Sequence, residues 1–143
     1  TSVIAPGLRS WEEFAVRLAA RAVRLATRVS RYQAPRNAEA RVTRTVRMIN
    51  RHPDASLTLG ILAREAGLSP YHFLRTFERL TGVTPHQYVL RARLREAAIR
   101  LAADRGKIVE IAFDCGFGDV SNFNRAFRAE FGLNPRAYQQ RSS

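Results

Sequence analysis

The apolar and turn-forming positions of this chain recur twice in the same order. One run reads Ala63, Gly67, Leu68, Phe73, Arg75, Phe77, Gly82, Pro85 and Tyr88. The other reads Ala112, Gly116, Phe117, Phe123, Arg125, Phe127, Gly132, Pro135 and Tyr138. The offset is 49 through Leu68 and Phe117 and 50 from Phe73 and Phe123 on, so the second copy carries one extra residue shortly past Gly116. Upstream, Leu59, Leu62 and Ala66 face Ile108, Ile111 and Cys115. A repeat of this kind marks each copy as one supersecondary unit.

Within a copy the spacing is helical. Leu59, Leu62, Ala63 and Ala66 recur at three and four residues, the stripe of an amphipathic helix, and Thr58 is placed to cap it. Gly67 ends this helix where the backbone must turn left-handed. Ser69 and Pro70 form a cap-plus-proline start for a second helix that buries Phe73, Phe77 and Leu80, until Gly82 stops it. Thr84-Pro85 starts the next. In the second copy Ile108, Ile111, Ala112 and Cys115 make the first stripe and Gly116 ends it. Asp119 caps a helix burying Phe123, Phe127 and Phe131, Gly132 stops it, and Asn134-Pro135 restarts the chain. Two short helices joined at a glycine turn are the helix-turn-helix arrangement.

Pro85 to about Asp104 reads as one continuous helix, with Leu90, Leu94, Ala97, Ala98 and Leu101 on one face and no internal Gly or Pro. At 1.5 Å per residue it is roughly 30 Å long, close to the ~34 Å between successive major grooves on one face of B-DNA. The pattern therefore predicts an all-α chain: two helix-turn-helix units on a rigid spacer, with an additional amphipathic helix at the N-terminus. That helix opens at the capping box Ser10-x-x-Glu13 and runs to about Tyr32. Trp11, Phe14, Leu18, Ala22, Leu25, Val29 and Tyr32 lie on one stripe, and Arg17, Arg21, Arg24, Arg28 and Arg31 on another. Pro35 is expected to end the pattern and Asn37 to cap a helix carrying Val42, Val46 and Ile49. The expected division is residues 1–36 as helix and linker, 37–143 as the double helix-turn-helix domain.

Charge sharpens the picture. The 143 residues include 24 Lys and Arg against 12 Asp and Glu, a formal net charge of +12, which points to a polyanionic partner; an arginine-rich composition from GC-rich coding is the plainer account. Both parts of the chain are basic, so charge alone does not place the site. With Cys115 the only cysteine, no internal disulfide can form, and a reducing cytoplasm fits. His52, His72 and His86 lack metal-ligand spacing, so neither metal nor cofactor is expected. No apolar run approaches a membrane span. There is no Gly-rich phosphate loop, nucleophile-His-acid set or convergent carboxylate pair, which argues against an enzyme. A start at Thr1 with Met48 the single methionine suggests a piece of a longer protein.

The stretch from about Asn37 to Arg141 resembles the DNA-binding domain of the AraC/XylS family of bacterial transcription regulators. The resemblance rests on Leu62-Ala63-x-x-x-Gly67-Leu68-Ser69-x-x-x-Phe73-x-Arg75-x-Phe77, on Gly82-x-Thr84-Pro85-x-x-Tyr88, and on Arg93-Leu94-x-x-Ala97. Most specific is Ile111-Ala112-x-x-x-Gly116-Phe117-x-x-x-Ser121-x-Phe123-x-Arg125-x-Phe127, closing with Phe131-Gly132-x-x-Pro135-x-x-Tyr138. Departures are Gly60, Asn134 and Gln139. The resemblance implies a seven-helix domain and control of transcription initiation, commonly activation. It makes double-stranded DNA the partner and RNA polymerase a candidate one. It also implies a missing sensor and dimerisation domain, through which, or through the N-terminal helix, the protein forms a homodimer. A non-specific basic nucleic-acid-binding module, or one associated with DNA repair, is the alternative.

Base readers are expected on the first turns of the second helix of each unit, opposite the phenylalanines. These are Tyr71, Leu74 and Arg75, beside Glu78, in the first unit. In the second they are Val120, Ser121, Asn124, Arg125 and Arg128. Arginine pairs bidentately with guanine, Asn124 suits adenine or phosphate, and Tyr71, Leu74 and Val120 suit thymine methyls. The plainer account of Arg75 and Arg125 is a surface arginine pairing with Glu78 or Asp119, but their repeat-matched placement favours DNA. Thr84, His86, Asn134 and Arg136, at helix N-termini, are the phosphate-contact candidates. Arg91, Arg93, Arg95 and Arg100 on the spacer point in different directions and cannot all face DNA. Cys115, whose repeat partner is Ala66, reads as a small core residue rather than a redox sensor.

Overall fold

The computed structural model describes residues 34–103 and 106–142; the expected helix from Ser10 to Tyr32 lies outside them. The described residues form seven helices: α1 (Ala34–Arg51), α2 (Leu59–Ala66), α3 (Pro70–Thr81), α4 (Pro85–Ala103), α5 (Ile108–Asp114), α6 (Val120–Phe131) and α7 (Pro135–Ser142). The first departs from expectation. Asn37 lies inside α1 rather than capping it, and Pro35 lies in its first turn; the helix that Pro35 is expected to end lies outside the described residues. Proline in a first turn removes an amide that has no intrahelical partner anyway, so α1 accommodates it there.

Each helix-turn-helix unit is built by the same hydrogen bonds. The Leu68 amide donates to Ala63 O and the Gly67 amide to Arg64 O; in the second unit Phe117 donates to Ala112 O and Gly116 to Phe113 O, all at 3.0 Å. This is the paired closure of a Schellman turn, which needs a left-handed residue at the glycine; φ is +67° at Gly67 and +100° at Gly116. The following helices are capped as expected. The Ser69 hydroxyl accepts from His72 N, and the Asp119 carboxylate from Ser121 N. The extra residue of the second copy, Gly118, is exposed in the turn before α6.

Two separate cores result. One gathers Val42, Val46 and Ile49 of α1 with Leu62, Phe73, Phe77 and Tyr88; the other gathers Leu94, Ala97 and Leu101 of α4 with Ile111, Phe123, Phe127 and Phe131. The repeat extends to ring geometry: Phe77 meets Tyr88 edge-on at 5.5 Å, and Phe127 meets Tyr138 edge-on at 5.3 Å. Spacer α4 serves both cores with different sides. Tyr88, Val89 and Ala92 belong to the first, while Leu90, Leu94, Ala97, Ala98 and Leu101 face the second. At about 100° per residue these two sets lie roughly 180° apart around the helix. The two units therefore pack on opposite faces of the spacer, near opposite ends.

Leu59 corrects the expected stripe: it is 37 % exposed, outside the core that Leu62, Ala63 and Ala66 enter. It occupies the first helical position after the Thr58 cap, whose hydroxyl accepts from Ile61 N, one turn short of the packed region. Its neighbour Gly60 is exposed, and a Cβ there would meet nothing within 4 Å. Gly60→Ala is therefore expected to stabilise the domain by about 0.5 kcal/mol through lost freedom of the unfolded chain. Urea denaturation at constant m reads this as a raised midpoint; a lowered midpoint would mean that the first turn of α2 needs glycine.

Candidate nucleic-acid interface

The packing of α3 fixes what it shows to solvent. Phe73, Thr76, Phe77 and Leu80 are buried, so Tyr71, Arg75 and Glu78 project outward and Leu74 sits half-buried at the edge. Tyr71 is 67 % exposed. It is not idle: the Arg75 guanidinium donates to the Tyr71 hydroxyl at 2.7 Å and lies 5.6 Å from the ring centre. That hydrogen bond raises the Arg75 pKa above its ordinary value. The pair holds a fixed cation clear of the surface, with most of its donors unused.

On α6 the equivalent face carries Ser121, Asn124, Arg125 and Arg128, all exposed, with Val120 half-buried. Arg125 is again braced within its own helix, here by donating to the Asn122 side chain. Asn122 was not among the expected residues, although its spacing of three from Arg125 is the readable signal of a same-face pair. Each arginine's side-chain hydrogen bond goes to a neutral neighbour in its own helix, and Glu78 adds only a smaller attraction at Arg75. The two faces differ in character. Leu74 and Glu78 of α3 stand where α6 has Asn124 and Arg128, so the second face is the more cationic.

Of the phosphate-contact candidates, His86 and Arg136 are exposed. Thr84 and Asn134 are engaged as caps. The Thr84 hydroxyl accepts from Gln87 N while Thr84 N donates to Gln87 Oε1, a reciprocal capping box. Asn134 Oδ1 accepts from Ala137 N at 2.7 Å. The spacer arginines divide as their directions require. Arg91 pairs with Glu130 at 3.9 Å and Arg100 with Asp114 at 3.2 Å, tying α4 to α6 and α5. Arg93 turns inward, donating to Pro53 O at 2.7 Å and Ala55 O at 2.9 Å. Burial lowers its pKa while the Asp54 carboxylate works the other way. A groove of about 650 Å³ lies between the spacer and the second unit, with His86, Leu90 and Arg93 on one wall and Phe117, Asp119, Asn122 and Arg125 on the other.

Cys115 lies in the second core at 1 % exposure. Burial pushes its thiol up to about 11 from an ordinary 9.0. Because the folded value exceeds the unfolded one, the neutral thiol favours the fold below about pH 9, and that contribution fades as pH rises toward 11. Iodoacetamide at pH 8 is expected to leave Cys115 intact in the native protein and to label it rapidly in urea; rapid native labelling would place it at an open surface instead.

Among the described residues no helix is long and apolar enough to cross a membrane, and no group of His, Cys, Asp or Glu is placed to hold a metal ion. Residues 62–141 match the family model described as a helix-turn-helix domain. The chain is 39 % identical over 92 residues to LumQ of Photobacterium leiognathi, covering 64 % of this chain and 37 % of that protein. It is 32 % identical over 96 residues to the regulatory protein SoxS of Salmonella typhimurium, covering 67 % and 90 %. It thus spans nearly all of one relative but little more than a third of the other. Among solved structures, the DNA-binding domain of the global transcriptional factor AdpA, in complex with a target DNA, superposes with a TM-score of 0.67 at 28 % identity, over 70 % of this chain and 90 % of that one. An AraC-type regulator from Chromobacterium violaceum gives 0.68 at 26 %, over 73 % and 93 %. With its seven helices, doubled turn and matched sequence, the chain belongs to the AraC/XylS family of helix-turn-helix DNA-binding domains.

Proposed function

We propose that this chain is the sequence-specific DNA-binding part of a transcription activator, reading two successive major grooves with α3 and α6. The observation that carries the reading is the matched bracing of Arg75 and Arg125 at repeat-equivalent positions on two exposed helix faces. A guanidinium already held in place loses less freedom when it forms a bidentate pair with guanine. Leu74 and Tyr71 offer apolar contact to thymine methyls in one box; Asn124, Ser121, Val120 and Arg128 serve the other. The spacer, 19 residues long, measures about 28 Å. That is shorter than one groove repeat, so straight DNA must bend toward the heads, at roughly 1–6 kcal/mol. His86 and Arg136 supply phosphate contacts, and the helix N-termini capped by Thr84 and Asn134 present partial positive charge to the backbone. The whole protein is proposed to act in the cytoplasm without catalysis, to contact RNA polymerase, and to dimerise through residues outside those described.

The test is selection of binding sites for the purified chain from a random duplex pool, at near-physiological salt with excess competitor DNA. Two short enriched boxes about ten base pairs apart are expected. Binding with no enriched sequence would leave a basic module attracted to phosphates alone.

A further inference from the structure

Outside the spacer's own packing, the two units touch at a place built around Arg93. The guanidinium lies across the loop between α1 and α2, fastened to two of its carbonyls, Pro53 O and Ala55 O. On its other side it meets the turn of the second unit. A Cβ added at Gly116 would stand 2.8 Å from Arg93 Nε and 3.0 Å from Asp54 Cα. Loop, guanidinium and turn are therefore stacked in direct contact: the first unit's loop backbone rests against the second unit's turn, with Arg93 fastened between them. The glycine that closes the turn of α5 is also the one whose missing side chain admits this contact. The first unit has no equivalent arrangement. There a Cβ at Gly67 would meet Arg41 Nη1 at 3.1 Å, and Arg41 belongs to the same unit.

We infer that Arg93 is a positioning residue that sets the angle between the two reading heads, and so the spacing of the two DNA boxes the protein accepts. This rests on the two-groove reading above. The spacer alone does not fix that angle, because each unit grips it with a separate core on a different face, and small rocking of either core moves its recognition helix. A planar fork reaching two carbonyls at once removes that freedom. Lysine, with one ammonium on a flexible stem, cannot reproduce the fork.

The test uses Arg93→Lys and Arg93→Gln in the full chain, against duplexes carrying both selected boxes at the selected spacing or with one base pair inserted or deleted, and against each box alone. The wild-type chain is expected to prefer one spacing by roughly tenfold or more, as a rigid link between two binding modules requires. In the variants that preference is expected to flatten to about threefold or less, with single-box affinities within about twofold of wild type. A preserved spacing preference overturns the assignment. So does a parallel loss on single and double boxes, which would make Arg93 a fold or phosphate residue. Should the wild type show no box preference, the two-groove reading fails, but the inference about geometry is still measured without DNA. Spin labels at Glu65→Cys and Glu110→Cys, in a Cys115→Ala background, report the distance between the units; both glutamates are exposed. A distribution broader in Arg93→Lys supports the positioning role, and an unchanged one overturns it.

Discussion

Phe127→Ala is expected to cost about 3–5 kcal/mol, and to spend nearly all of it on one half of the domain. Phe127 is fully buried, and its ring stacks within 5.6 Å of Phe123, 4.5 Å of Phe131 and 5.3 Å of Tyr138. Removing it opens a cavity under α6 and α7 together. A loss of this size approaches the whole stability of an ordinary domain, typically about 5–15 kcal/mol. The first core, centred on Phe73, Phe77 and Tyr88, shares no buried residue with the second. Native-state hydrogen exchange should therefore find the amides of α5, α6 and α7 deprotected while those of α1, α2 and α3 keep most of their protection. Phe77→Ala should give the reverse. Equal loss in both halves would mean that the spacer couples the two cores into one unfolding unit.

Arg125→Ala and Arg75→Ala carry the largest expected effects on DNA. Each should weaken binding to the selected site by about 1–3 kcal/mol, or roughly 5- to 150-fold in Kd. Each should also relax base preference in its own box only, because the two arginines stand on different helices. Both are exposed and hydrogen-bonded to neighbours in the same helix, so neither substitution should lower thermal stability appreciably. Binding titrations against single-base variants of each box, repeated at several salt concentrations, separate the readings. Uniform weakening across all sequences, with the salt slope reduced by about one, would assign the residue to a phosphate. Tyr71→Phe and Asn122→Ala should produce weaker versions of the same box-specific effects, because they release the arginine without removing it.

The turn glycines, the caps at Thr58, Ser69 and Asp119, and the phenylalanine pairs four apart were legible because each is a local device, complete within one helical turn of sequence. The faces of α3 and α6 followed from them, since a helix that buries Phe73 and Phe77 must expose Tyr71 and Arg75. Asn37 and Leu59 were misplaced for a related reason. Near a helix end, several residues can serve as cap or first turn, and packing elsewhere selects among them.

The sequence by itself therefore determined the helices, the doubled unit and the exposed arginines, since periodicity and capping are properties of neighbouring residues. Only the tertiary structure decided the use of each spacer arginine and of Gly116. Arg93 reaches carbonyls some forty positions away, and although the motif Arg93-Leu94-x-x-Ala97 marks it out, no neighbouring residue says what its guanidinium meets. Its role exists only once two separately packed cores have brought a loop and a turn against the same guanidinium.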